Sequence, residues 1–183
     1  MRPSLHIEPT GTLEIARHYV RELIYGANDG IITTFAVVAG VAGGGLSLRV
    51  VLIMGAANLF ADGLSMAAGN YLSIRSHESV LAAQDLPEEE TSPLRHATAT
   101  FLAFVGAGTI PLVPYMLPDF PLDRFTASIG CTLVAMFAVG ASRALIARTR
   151  WWSAGLEMLG LGSVVAVLAY GSGKLVAAVV DRV

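Results

Sequence analysis

Two carboxylates lie inside apolar runs long enough to cross a lipid bilayer, and no other feature constrains the chain as much. Residues 25–73 read YGANDGIITTFAVVAGVAGGGLSLRVVLIMGAANLFADGLSMAAGNYLS, two apolar spans joined by a glycine-rich turn. Asn28 and Asp29 fall early in the first span, and Asn58, Asp62, Met66 and Asn70 recur every fourth residue in the second. Even the mildest scales charge roughly 2.5–3.5 kcal/mol for an ionised side chain at the centre of a membrane helix, so an acid there marks a functional position. Composition agrees: 54% of residues are hydrophobic and 14% charged, against about 25% charged in an ordinary soluble domain.

Five stretches reach the roughly 20 residues that a helix needs to span the hydrocarbon core. They lie near residues 23–43, 50–74, 97–117, 125–147 and 153–173, giving an all-α integral membrane fold over residues 23–175 with a short tail at 176–183. The turns at residues 43–47, 118–121 and 148–150 are short, so the helices they join are expected to be antiparallel neighbours. Pro111 and Pro114 remove backbone donors and should kink the third span near its far end. Residues 1–22 form an N-terminal segment. Within it, from Thr12 as N-cap, Leu13, Ala16, Val20, Leu23 and Ile24 recur at helical spacing. Glu14, Arg17, His18, Arg21 and Glu22 take the opposite, wet side, which reads as an amphipathic helix lying on the membrane surface. His18 fits a solvated interfacial histidine better than a metal ligand.

Orientation follows from the basic residues. Arg2, Arg17, Arg21, Arg75, Arg95, Arg143, Arg148 and Arg150 collect on one side, against Arg49, Arg124, Lys174 and Arg182 on the other. The N-terminus is therefore expected in the cytoplasm, with Trp151 and Trp152 in a cytoplasmic aromatic belt. Pro3, Glu8, Pro9 and Gly11 leave no cleavable signal core, so targeting is assigned to the first span. The connection at residues 75–96 carries Glu78, Asp85, Glu88, Glu89 and Glu90, with His77 continuing the register of the second span. It reads either as a solvated turn or as a funnel concentrating cations at a pathway mouth, with His77, Glu78, Glu88, Glu89 and Glu90 as entrance residues.

Other classes drop out. A net charge of -2 without a basic block leaves no surface for nucleic acid. No Ser/His, Cys/His or HExxH arrangement falls at membrane depth, so no enzyme chemistry is expected. Cys131, alone in an apolar run, reads as a small buried residue. Arg143 and Glu157, each about seven residues from the middle of one short loop, read as an ion pair locking the last hairpin, with a cation path as the lesser reading.

The polar stripes carry the chemistry. Asn58, Asp62, Met66 and Asn70 line one face of the second span, and Thr33 continues the Asp29 stripe of the first. Counting 1.5 Å per residue puts Asp29 roughly 10 Å in from Glu22, and Met66 and Asp62 roughly 13 and 20 Å in from Arg75, so the three can share one internal region. Carboxylate and amide oxygens suit hard divalent cations, and a thioether shifts preference toward iron(II) and manganese(II). Methionine in a membrane helix is, however, more often packing than ligand. A metal binding protonated carboxyls must displace protons, which offers a route to metal/proton exchange.

The runs DGIITTFAVVAGVAGGGLS and ANLFADGLSMAAGNYLS resemble the vacuolar iron transporter family, as do PLVPYMLP and WWSAGLEMLGLGSVVAVLAYGSGKL in the later spans. The resemblance implies a five-span homodimer in the bilayer. Its first helices would line a pathway at the two-fold axis, exchanging iron(II) or manganese(II) for protons and clearing the metal from the cytosol. It assigns Asp29, Asp62 and Met66 as metal residues; the polar stripes themselves, not the resemblance, make Thr33, Asn58 and Asn70 pathway-lining residues. No prosthetic group is implied beyond the transported ion. The membrane would be the plasma membrane of a bacterium or the vacuolar membrane of a eukaryote.

Two departures stand out. Asn70 replaces the acid that members usually carry before the tyrosine, and a connection of about twenty residues stands where better-known members insert a long metal-binding domain. A membrane sensor or scaffold that binds metal without transporting it is the second reading. Dimerisation is also suggested by the small-residue spacings Gly26/Gly30 and Gly40/Gly44.

Overall fold

A computed structural model describes Ser4, residues 10–147 and residues 150–182, without the side chains of residues 145–147. Arg2, Arg148 and Thr149, used above for orientation and for the fourth turn, lie outside the described residues. The elements are α1 (Thr12–His18), α2 (Val20–Gly43), α3 (Leu48–Ala83), α4 (Pro93–Gly108), a 3-10 turn (Ile110–Leu112), α5 (Val113–Met116), α6 (Arg124–Ala147) and α7 (Trp151–Val180). No β-strand forms among the described residues; Ser4 and Glu88 make one isolated bridge. Among the described residues, five helical segments are long and apolar enough to cross a membrane, with α4, the 3-10 turn and α5 together forming the third.

The first span, α2, stands at the centre and packs against α3, α4, α6 and α7. Glycine makes its closest approaches possible. A Cβ on Gly30 would collide with the Phe104 carbonyl of α4, and one on Gly108 would come within 2.7 Å of the Gly30 carbonyl. At the far end, a Cβ on Gly173 of α7 would collide with the Gly40 carbonyl. Gly26/Gly30 and Gly40 are thus consumed inside the chain. The small-residue spacing read above as support for dimerisation is explained by contacts of α2 with α4 and α7.

Phe104, Ile31, Val38 and Met136 are almost wholly buried between these helices. The outer helix α7 shows the opposite pattern: Val164, Val167, Leu168, Leu175 and Val176 are exposed, as expected of a face solvated by lipid.

Chain reversals follow local chemistry. Gly45 adopts φ +67 and closes α2, with the Leu46 N–H donating to the Val41 carbonyl and the Gly45 N–H to Ala42, a Schellman-type ending. Asp85 (φ 55) closes α3 the same way, with the Leu86 N–H on the Leu81 carbonyl. The second span therefore continues as helix to Ala83, and Asp85 rather than Pro87 ends it. At the prolines, where a kink was expected, the third span changes from α-helix to a 3-10 turn. α4 stops at Gly108, and the Pro111 carbonyl accepts a 2.7 Å hydrogen bond from the buried Ser128 hydroxyl of α6.

Two expectations for the N-terminal helix are corrected. Gly11, not Thr12, is the N-cap, while the Thr10 N–H and hydroxyl bond the Glu14 carboxylate. The helix also breaks at Tyr19 before α2 begins. That break turns His18 inward, and the arrival of α4 covers Glu22, which is buried at 6% exposure. Neither residue belongs to a wet face.

Candidate functional site

The stripes on α2 and α3 meet through one side-chain contact. Asn58 on α3 donates from Nδ2 to the Thr33 hydroxyl on α2 at 3.4 Å, and Thr33 in turn donates to the Asp29 carbonyl at 2.8 Å. The helices are antiparallel, so one turn from this contact toward the N-terminal end brings Asp62 on α3 and Asp29 on α2 to the same level. Both are half-buried, as is Met66, one turn or about 6 Å nearer that end.

The register refines the depth count. Extended from Asn58 and Thr33, it sets Glu22 opposite Gly69, so Arg75 lies roughly 9 Å beyond Glu22 rather than level with it. Counting inward from those two residues as equivalent edges separated Asp29 from Asp62 too far.

Below Asp29 and Asp62 opens a cleft of about 360 Å³ lined by Arg21, Glu22, Tyr25, Met66, Asn70 and Thr100, among others. Asn70 is tied to its wall, donating from Nδ2 to the Thr100 hydroxyl at 2.9 Å, and Thr100 donates to the His96 carbonyl at 3.0 Å. The polar groups thus form a column from Thr33 and Asn58 through Asp29, Asp62 and Met66 to Asn70.

The acidic connection divides by role. Glu78 Oε1 accepts the backbone N–H groups of Glu89 and Glu90 at 3.1 and 2.8 Å, which makes it a brace for the loop. His77 meets Glu89 at 3.2 Å on the exposed surface. Glu88 lines an open hollow beside Arg75 and Glu78. Of the five expected entrance residues, Glu90 shares that hollow and also meets His96, which contacts Glu22 in the wall of the cleft.

There Glu90 joins three residues that the sequence reading did not place together. Glu90 Oε2 lies 2.8 Å from His96 Nε2 and 3.6 Å from His18 Nε2, while His96 Nδ1 lies 3.2 Å from Glu22 Oε1. The His96 and Glu22 side chains are 8% and 7% exposed. Signals for this cluster existed: His18 and Glu22 are one helical turn apart, and His96 stands three residues after the proline that opens α4. Nothing in the sequence showed that the two ends meet. Elsewhere, Arg143 Nη2 and Glu157 Oε2 pair at 2.7 Å, linking α6 to α7 as expected.

A family model described as the VIT family matches residues 20–91 and 79–174, which include all five spans' central portions. Vacuolar iron transporter 1 of Arabidopsis thaliana is 25% identical over 218 residues, an alignment that takes in 88% of this chain and 87% of that protein. Vacuolar iron transporter homolog 3 of the same plant is 26% identical over 166 residues, covering 86% of this chain and 83% of that protein. A vacuolar iron transporter of Toxoplasma gondii is 42% identical over a shorter stretch of 71 residues, 39% of this chain and 24% of that protein.

Proposed function

The chain belongs to the VIT family and is an integral membrane protein of the metal-transporter kind, and from that premise we propose that it carries iron(II) or manganese(II) out of the cytosol in exchange for protons. The observation that supports this reading best is the shared level of Asp29 and Asp62 on two facing helices, with Met66 one turn away. Two carboxylates neutralise a divalent ion, and the thioether favours the softer first-row metals over magnesium and calcium. Asn58, Thr33 and Asn70 supply oxygen and amide groups above and below. In this reading the N-terminus and the 84–92 loop face the cytoplasm, where the cleft beside Met66 and Asn70 receives the ion.

Asp29, Asp62 and Met66 are half-buried in the single chain, so the column has an open side. A second copy related by a two-fold axis would close it and double the ligand set. Proton exchange follows if each carboxyl releases its proton when the metal enters and regains it after the metal leaves. The membrane is then the plasma membrane of a bacterium or the vacuolar membrane of a eukaryote.

The experiment is to impose an iron(II) or manganese(II) gradient on sealed proteoliposomes and follow luminal pH. Sustained proton movement against the metal flux supports exchange. Metal binding without proton movement or flux would instead favour the sensor or scaffold reading.

A further inference from the structure

Four side chains from four separate parts of the chain converge at the base of the column: His18 at the end of α1, Glu22 in the first turn of α2, Glu90 in the loop and His96 in the first turn of α4. The ligand atoms of His18, Glu90 and His96 all lie within 4.8 Å of one another. Tetrahedral ligands at bonds of about 2.0–2.1 Å stand roughly 3.4 Å apart. The 2.8 and 3.6 Å separations from Glu90 Oε2 to His96 Nε2 and His18 Nε2 bracket that value.

The surroundings fix these groups. Glu90 Oε1 accepts the Ser92 N–H at 2.9 Å, and Glu78 holds the Glu90 backbone, so Oε2 is the oxygen turned to the histidines. The Tyr19 ring packs on both imidazoles, at 4.7 Å from His18 and 4.8 Å from His96. Glu22 lies at His96 Nδ1. A neutral imidazole has one N–H. Neither ring nitrogen of the buried His96 makes a hydrogen bond of good geometry, and a cation bridging Nε2 and Glu90 Oε2, 2.8 Å apart, would satisfy the buried Nε2. A carboxylate that holds one ring nitrogen while a metal takes the other is the usual outer-shell arrangement of metal-bound histidine.

We propose that His18, Glu90 and His96 form a binding site for a divalent first-row transition-metal ion, with Glu22 as the residue that positions His96. The two carboxylates balance the charge of the ion, and the two imidazoles select against magnesium and calcium. Glu22 also lines the cleft that leads to Met66, and Thr100 links the His96 carbonyl to Asn70. The site is therefore a loading station for the column, made from the chain's own loop and helix starts. Binding here stands by itself; the loading role rests on the transport reading.

The test is a cobalt(II) titration of the full chain, purified in detergent and stripped with chelator. It is run in an Asp29→Asn, Met66→Leu background that removes ligands of the inner column. One cobalt(II) per chain is expected, with visible d–d bands and no displacement by a large excess of magnesium. Glu22→Gln should weaken binding by about 10–100-fold, and His96→Gln by at least as much. His18→Gln, at the more exposed edge, provides the same reading if His96→Gln disturbs folding. Absence of binding in the background protein, or affinity unchanged in His18→Gln and His96→Gln, overturns the proposal. A chain that keeps this site but shows no flux retains the binding proposal and loses the transport reading.

Discussion

Asn58 reaches across from α3 to the hydroxyl of Thr33 on α2, and this 3.4 Å contact marks the register of the two helices that carry the half-buried acids. Both neighbours one turn away are aspartates, Asp62 and Asp29. A slip of one helical turn would set Asp29 opposite Met66 or Asn58 instead, and the pairing of carboxylates on which the proposed metal site rests would be lost.

The contact of α2 with α4 depends on a missing side chain at Gly30. A Cβ there meets backbone of Phe104, which cannot swing aside. Gly30→Ala is expected to destabilise the protein by about 1–3 kcal/mol, the usual cost of overpacking. Gly106→Ala, on an open face of the same helix pair, should be neutral or slightly stabilising because alanine favours helix. Thermal unfolding in detergent compares the two; equal losses would contradict the packing account.

Ser128 satisfies the carbonyl that the third-span 3-10 turn frees at Pro111. Both residues are fully buried, so Ser128→Ala leaves an acceptor without a partner at a cost of about 1–3 kcal/mol. Ser128→Thr keeps the hydroxyl and should retain most of the stability if the added methyl fits. The same unfolding measurement reads both variants.

Asp123 caps α6. Its Oδ2 accepts the Thr126 N–H and the Thr126 hydroxyl, each at 2.8 Å, and these bonds hold its carboxyl below the usual aspartate range. A depressed folded value means that the ionised cap stabilises fully above the unfolded value of about 3.9 and that this stabilisation is lost as pH falls through the folded value. Asp123→Asn keeps an acceptor but cannot titrate. Wild type should exceed Asp123→Asn in melting temperature above about pH 5, and the gap should close at lower pH. A gap that is constant with pH would contradict the assignment.

The five spans were legible in the sequence because membrane crossing imposes a long apolar run, and Asp29, Asp62 and Met66 stood out because acids inside such runs are rare. What sequence could not supply was lateral arrangement. The glycines of α2 look alike whether they meet α4, α7 or a second copy, and only the fold assigns Gly30 to Phe104 and Gly40 to Gly173. Depth failed for a related reason: helix α3 continues to Ala83, so Arg75 marks no edge. The His18, Glu22, Glu90 and His96 cluster was hidden because its two halves, one at residues 18–22 and the other at 90–96, are far apart in the chain, and the break at Tyr19 that turns His18 inward has no proline or glycine to announce it.

The central claim is that the paired aspartates of α2 and α3 carry the metal. The most direct measurement is manganese(II) or iron(II) uptake into proteoliposomes by Asp29→Ala, beside wild type and Asp62→Ala, with size-exclusion profiles recorded for each. The account predicts that flux falls to the level of protein-free vesicles in Asp29→Ala while the elution position is unchanged. Wild-type flux in that variant would contradict it.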